Sequence, residues 1–192
     1  MALSRHLSCG LATPSRSLRD GPRLVDVSAA GTDLTPEVLR GAFANFPSGI
    51  TAVAGMRNDV PTGLAASSFT SVSIDPPLVS VCVALTSTTW PLLRLMPRLG
   101  LSVLAEEHGE VARALAARGV DRFAHVSWQH TDAGAVFVHG SALWLETTLI
   151  NEVPAGDHNI ALLRIEALWS YPDVAPLVFH GSTFRQLRAP GD

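Results

Sequence analysis

Between Gly41 and Leu93 only Arg57, Asp59 and Asp75 carry a charge. Sheet that faced solvent over such a length would carry more, so most of this window must lie against protein or a bound ligand. Its most apolar part, Pro76 to Leu93, is uncharged over a length that could suggest a membrane helix. Pro76, Pro77, Pro91 and five Ser/Thr within it oppose that reading, and no membrane association is expected. The 192 residues suit one domain, and 47% hydrophobic against 16% charged residues excludes disorder over the whole length. All 14 basic residues are arginine, and 17 acidic residues leave a net charge of −3, the wrong sign for a general nucleic-acid binder. Cys9 and Cys82 are too few and too far apart for a disulfide scaffold or a zinc site, which fits a reducing, cytoplasmic setting.

Residues 1–33 scatter Arg5, Arg16, Arg19 and Arg23 among Ser, Gly and Pro without hydrophobic periodicity. They read as a loose tail, with an organellar transit peptide as the rival reading. An ordered domain is expected over 34–189. It opens at Thr35-Pro36-Glu37, a hydroxyl cap with a first-turn proline, and Val38, Leu39, Ala42, Phe43 and Phe46 then recur at helical spacing up to the stop at Pro47-Ser48-Gly49. Strands are expected over Ile50 to Met56 and Leu64 to Ile74, with a turn from Arg57 to Gly63 between them, and over Leu78 to Leu85 and Leu99 to Ala105. Short and longer helices are expected after Ser87-Thr88-Thr89 and over Glu106 to Arg118. Val136 to Ile150, His158 to Trp169 and Leu177 to Leu187 complete a mainly β chain with a few helices. Without a βαβ rhythm, that order suggests an antiparallel barrel.

Several chemistries are excluded. No GxG occurs, and the phosphate loop GxxxxGK[ST] is impossible without lysine. GxSxG and HExxH are absent, and the seven histidines stand singly, so no metal site is expected.

Phe46-Pro47-Ser48-Gly49-Ile50-Thr51, the run Gly63 to Val79 (GLAASSFTSVSIDPPLV) and Ser87-Thr88-Thr89-Trp90-Pro91 follow one another in the chain. Leu101 to Glu106, Arg122-Phe123 with Trp128, Gly140 to Glu146, and Gly156-Asp157-His158 continue the set. This ordered series resembles the flavin reductase family of the FMN-binding split barrel, over most of the chain. The resemblance implies a Greek-key split β-barrel, usually a homodimer, that oxidises NADH or NADPH, reduces FMN or FAD, and supplies reduced flavin to a partner monooxygenase.

The residues can be weighed against that chemistry. Ala65, Ala66, Ser67 and Ser68 are small, so amides and hydroxyls there could approach a flavin ring and stabilise the charge that grows at its polar edge on reduction. The plain alternative is the polar face of an ordinary strand. Ala65 stands where relatives often have threonine. Ser87, Thr88 and Thr89 could hold a phosphate or only cap a helix. By the resemblance, His158 lies near the nicotinamide and is the catalytic candidate; Gly156 and Asp157 would shape its turn or orient its ring. Phe123 and Trp128 are candidate ring walls or core aromatics. Arg122 could meet a phosphate or a carboxylate. FMN is favoured over FAD because the compact Ser/Thr site suits one phosphate, and NADH over NADPH because no basic cluster marks a 2′-phosphate site. Two alternatives to catalysis are a flavin carrier, which Ala65 favours, and a scaffold beside an oxygenase, with Trp90, Trp144 and Trp169 toward the partner.

Overall fold

The computed structural model describes residues 34–187. The expected tail over 1–33 and the last two residues of the expected domain lie outside the described residues. The chain divides into two units, Met1–Phe43 and Ala44–Asp192. The described part of the first is helix α1 (Pro36–Phe43). It begins as the sequence suggests: Thr35 Oγ1 accepts the Val38 N–H at 3.4 Å, and the Thr35 carbonyl accepts the Leu39 N–H at 3.0 Å. None of its residues is buried, and it ends before Phe46, since Asn45 and the residue preceding Pro47 disfavour helix.

In the second unit β1 (Ser48–Gly49), β2 (Thr51–Arg57), β3 (Val60–Ala66), β4 (Thr70–Ser73) and β5 (Leu78–Ala84) precede helix α2 (Trp90–Leu93). Then follow β6 (Leu99–Val103), α3 (Gly109–Ala116), β7 (Trp128–His130), β8 (Val136–Val138), β9 (Leu143–Ala155), β10 (His158–Ser170), β11 (Val178–His180) and β12 (Thr183–Arg185). Seven strands form one antiparallel sheet in the order β3-β2-β6-β9-β10-β5-β4. β1, β11 and β12 form a second sheet, and β7 and β8 a third. The fold is mainly β with interleaved strand order, as expected, but the large sheet does not close into a continuous barrel. β3 and β4 are its two edges, so the barrel is split between them.

Only part of the charge-poor window lies in a core: Phe43, Phe46, Val72, Ile74 and Leu85 within it are exposed, contrary to the expectation that most of it would be covered, whereas β2 and β5 are buried for a direct reason. Thr51 to Gly55 of β2 are all buried, because Ala52 and Ala54 face one core and Val53 faces the other. The first core packs Ile50, Leu104, Leu115, Phe123, Val136 and Leu177 against α3. The second packs Val79, Val81 and Val83 of β5 with Leu99, Leu101, Leu145, Ala161 and Leu163. Each fully buried valine contributes about 1.5–3 kcal/mol. Buried hydroxyls are bonded: Ser102 Oγ accepts the Val138 N–H at 3.0 Å and Thr147 donates to the Leu99 carbonyl at 3.0 Å.

Several expected boundaries move. The seven-residue turn after β2 is a two-residue hairpin at Asn58 and Asp59 (φ 50° and 62°), side chains that tolerate the left-handed region. Pro61 therefore lies in β3, which an edge strand permits. The run Leu64 to Ile74 breaks at Ser67-Ser68-Phe69, and Val136 to Ile150 breaks between β8 and β9. Helix α3 is shorter than Glu106 to Arg118, leaving Arg118 beyond its end. Trp90 and Trp144 are buried, whereas Trp169 is 40% exposed. Among the described residues no helix is long and apolar enough to cross a membrane.

Candidate functional site

A cleft of about 360 Å³ lies at the split. One wall is Leu64 to Ser68, the end of β3 and the residues after it; the opposite wall is Cys82 to Ala84 of β5 with Thr86, Ser87 and Thr88. Leu115, Ala116, Arg118 and Arg122 close a third side, and His158 lies at the rim. The register explains that last position, since His158 opens β10 opposite Ala84 of β5. A second, more apolar recess of about 250 Å³ adjoins it, lined by Ile50, Ala112, Arg113, Phe179 and Phe184. Ala65, Ala66, Ser67 and Ala116 border both recesses. A ridge of small side chains thus separates a polar hollow from an apolar one.

Of the residues singled out in the sequence, Ala65, Ala66, Ser67, Ser68, Ser87, Thr88 and His158 line the cleft. Thr89 does not; its Oγ1 accepts from Arg122 Nη1 at 2.9 Å. Gly156 forms the β9–β10 turn at φ +64°, outside the lining. Asp157 also lies outside it, with Oδ1 2.8 Å from His158 Nδ1, which leaves Nε2 as the free ring nitrogen. Phe123 is 5% exposed in the first core, and a Cβ built on Gly63 would come within 3.0 Å of its ring. It packs behind β3 rather than forming a cleft wall, because Gly63 leaves the space its ring fills. Trp128 likewise packs against that core.

Hydrogen bonding sorts the hydroxyls. Ser68 Oγ accepts the Cys82 N–H at 2.8 Å and donates to the Cys82 carbonyl at 3.1 Å, so its single proton is committed to protein. Ser87 Oγ accepts the Trp90 N–H at 3.1 Å and retains its own proton for another acceptor. Capping and anion contact are therefore compatible at Ser87. Helix α2 has four residues, too few for its dipole to matter much, so any anion here must rely on hydroxyls and cations.

Among the described residues two arginines line the cleft. Arg122 donates to the Ala117 carbonyl at 2.7 Å and, from Nη1, to the Gly63 carbonyl at 2.8 Å as well as to Thr89. Partial burial, then the nearby Arg118, push its guanidinium below the ordinary value, though arginine stays charged. Arg118 is exposed and makes no hydrogen bond or ion pair among the described residues. Among the described residues no carboxylate lines the cleft, so this corner favours an anion. In the sequence Arg118 reads only as the end of the expected helix from Glu106, because its approach to Arg122 depends on the loop after α3.

The chain has counterparts among known proteins. The flavin reductase like domain family matches residues 43–188. An NADH-dependent flavin reductase of Rhodococcus sp is 37% identical over 164 residues, 83% of this chain and 90% of that protein. HsaB, the reductase subunit of a flavin-dependent monooxygenase of Mycobacterium tuberculosis, is 29% identical over 143 residues, 74% of this chain and 76% of its own length. The solved structure of the NADH:FAD oxidoreductase SgcE6 of Streptomyces globisporus C-1027, in complex with NAD and FAD fragments, superposes with a TM-score of 0.79 at 32% identity, covering 89% of this chain and 100% of that one. With the matched span covering every strand of the split sheet and both walls of its cleft, the chain belongs to the flavin reductase-like domain family.

Proposed function

We propose that this protein is an NAD(P)H:flavin oxidoreductase that supplies reduced flavin to a separate monooxygenase. The observation that carries the reading is the cleft at the split, where a small-side-chain ridge faces hydroxyls and two arginines with no carboxylate beside them among the described lining residues. Family membership and the relatives' descriptions as flavin reductases and a monooxygenase reductase subunit support it. Flavin fits this donor set: its ring needs close backbone approach, and its phosphate needs cations and hydroxyl donors.

Bound flavin would supply N5 as the acceptor of hydride from nicotinamide C4. Ala65 and Ala66 admit the ring, and the Ser67 hydroxyl with the amides of Ser67 and Ser68 stabilises the charge developing at its polar edge. Ser87, Thr88, Arg118 and Arg122 hold phosphate. His158, oriented by Asp157, holds or gives a proton near the nicotinamide. Positioning supplies most of the catalysis, since no covalent step falls to the protein. NADH leads NADPH as donor because no basic cluster in the sequence marks a 2′-phosphate site, and FMN leads FAD as acceptor because the compact hydroxyl corner suits one phosphate.

A homodimer is part of the reading. Cys82, Ile160 and Val153 pair in one row across β5, β10 and β9. They point away from the second core, and Cys82 and Val153 are exposed. A second copy seated on that row would border the cleft. Cysteine usage keeps the cytoplasm as the expected compartment.

Aerobic oxidation of NADH and of NADPH by the purified protein, with FMN, FAD and riboflavin added in turn, tests the proposal. Turnover that saturates with flavin is expected. Flavin binding without turnover would replace the enzyme with a carrier, and neither binding nor turnover would leave a scaffold.

A further inference from the structure

Strand β4 pairs with β5 through Thr70 opposite Ser80 and Ser71 opposite Val79. Two residues further back along the same register, residue 68 would stand opposite Cys82, and an antiparallel pair would exchange backbone bonds there. The chain does otherwise. Both backbone groups of Cys82 are taken by the Ser68 side chain, at 2.8 Å and 3.1 Å. The β2–β3 ladder ends at Ala66, and no hydrogen bond among the described residues uses the amide of Ser67 or Ser68. Those two residues line the cleft opposite Cys82.

We infer that Ser68 is a positioning residue, whose hydroxyl stands in for the missing backbone rung and so keeps the Ser67–Ser68 amides out of the sheet and free to bond flavin. The inference deepens the flavin-reductase reading and rests on it. Two jobs follow from one hydroxyl. It satisfies the end of β5, which an open split would leave bare, and it holds the opposite wall at side-chain rather than backbone distance. Without it, the segment either zips onto β5, occupying the Ser68 amide and narrowing the cleft, or swings loose and loses its orientation. Either way both binding of the ring and stabilisation of the charge that develops on its reduction suffer, while nicotinamide binding is spared.

The test compares Ser68→Ala and Ser68→Thr with the unaltered protein. Steady-state kinetics vary FMN and NADH separately, thermal denaturation monitors folding, and hydrogen exchange reads the Cys82 amide without flavin. Ser68→Ala is expected to raise the KM for FMN about tenfold, the scale of one lost hydrogen bond at the upper end of its range. The kcat at saturating FMN should fall as well, since the same amides stabilise the charge developing on reduction, whereas the KM for NADH should change less than about threefold. Ser68→Thr, which keeps the hydroxyl, should restore the KM, and the Cys82 amide should exchange faster only in the alanine variant. An unchanged KM for FMN in Ser68→Ala, equal losses in kcat and in both KM values, or failure of Ser68→Thr to rescue would overturn the inference. If the unaltered protein neither binds nor reduces FMN or FAD, the flavin reading itself fails, and Cys82 exchange still reports on the rung independently.

Discussion

Arg122 ties together three pieces of chain that the sequence separates widely, and replacing it with methionine tests how far the cleft depends on that tie. Its guanidinium bonds the Ala117 carbonyl just past α3, the Gly63 carbonyl in β3 and the Thr89 hydroxyl before α2, at 2.7, 2.8 and 2.9 Å. Methionine keeps much of the stem and removes every donor. A charged donor contributes about 1.5–3 kcal/mol per bond when well buried, but Arg122 is only half-buried and water can replace part of each bond, so about 1 kcal/mol apiece is the fitting figure. The three together come to about 3 kcal/mol. For a domain of this size that lowers Tm by about 6–12 °C. Arg122→Lys should recover little of it, because one ammonium cannot reach three acceptors set around a planar fork. Arg118→Met is the control: with no protein partner among the described residues, it should leave stability within about 0.5 kcal/mol. It should nevertheless raise the KM for FMN and weaken that KM's dependence on salt, if Arg118 faces the phosphate. Urea unfolding followed by circular dichroism gives the stabilities. A loss below about 1 kcal/mol in Arg122→Met, or a matching loss in Arg118→Met, would refute the assignment of tie and free cation.

Three further outcomes follow from other parts of the structure. His158→Asn should lower kcat for nicotinamide oxidation by about tenfold to a hundredfold while the flavin dissociation constant changes little, as stopped-flow reduction and fluorescence titration would read; equal losses in both would reject a role at the nicotinamide. Gly100→Ala should cost about 3 kcal/mol or more, because a Cβ there falls 2.1 Å from the Val136 carbonyl oxygen and 2.9 Å from its nitrogen, so backbone must move; a melting temperature near that of the unaltered protein would contradict it. His108 Nδ1 accepts the Ala105 N–H at 3.1 Å, and burial holds its pKa below 6.5, with Glu107 partly opposing. The unfolded chain therefore protonates first, so the contribution of His108 is intact above about pH 6.5 and declines as the pH falls below it. Urea midpoints across that range should slope less in His108→Gln, and parallel slopes would remove His108 as the cause.

The elements that proved legible are those whose cause is local. Thr35-Pro36 opens α1 because a hydroxyl cap and a first-turn proline act within four residues. The alternating valines of β5 announce a strand with one face in a core, and the Ala65–Ser68 run shows through its size alone that something could come close to it. The misread boundaries also had local signals, but pairing decided between them. Pro61 reads as a turn residue until β3 is known to be an edge strand, where its missing N–H costs nothing. Ser68 reads as one more donor to the ligand until Cys82 is found opposite it.

Polarity and residue size were enough to require a β-rich chain with a lightly charged interior, because burial free energy follows composition and period wherever the chain goes. Which arginine braces the cleft and which stays free, and whether an aromatic lines the cavity or packs behind it, came only with strand register and the path of the loops. Such roles depend on distances of a few ångströms between residues 14 to 59 positions apart. Arg122 and Gly63, or Ser68 and Cys82, meet because the sheet stops short of closing, and no pattern within either segment encodes where that stop will fall.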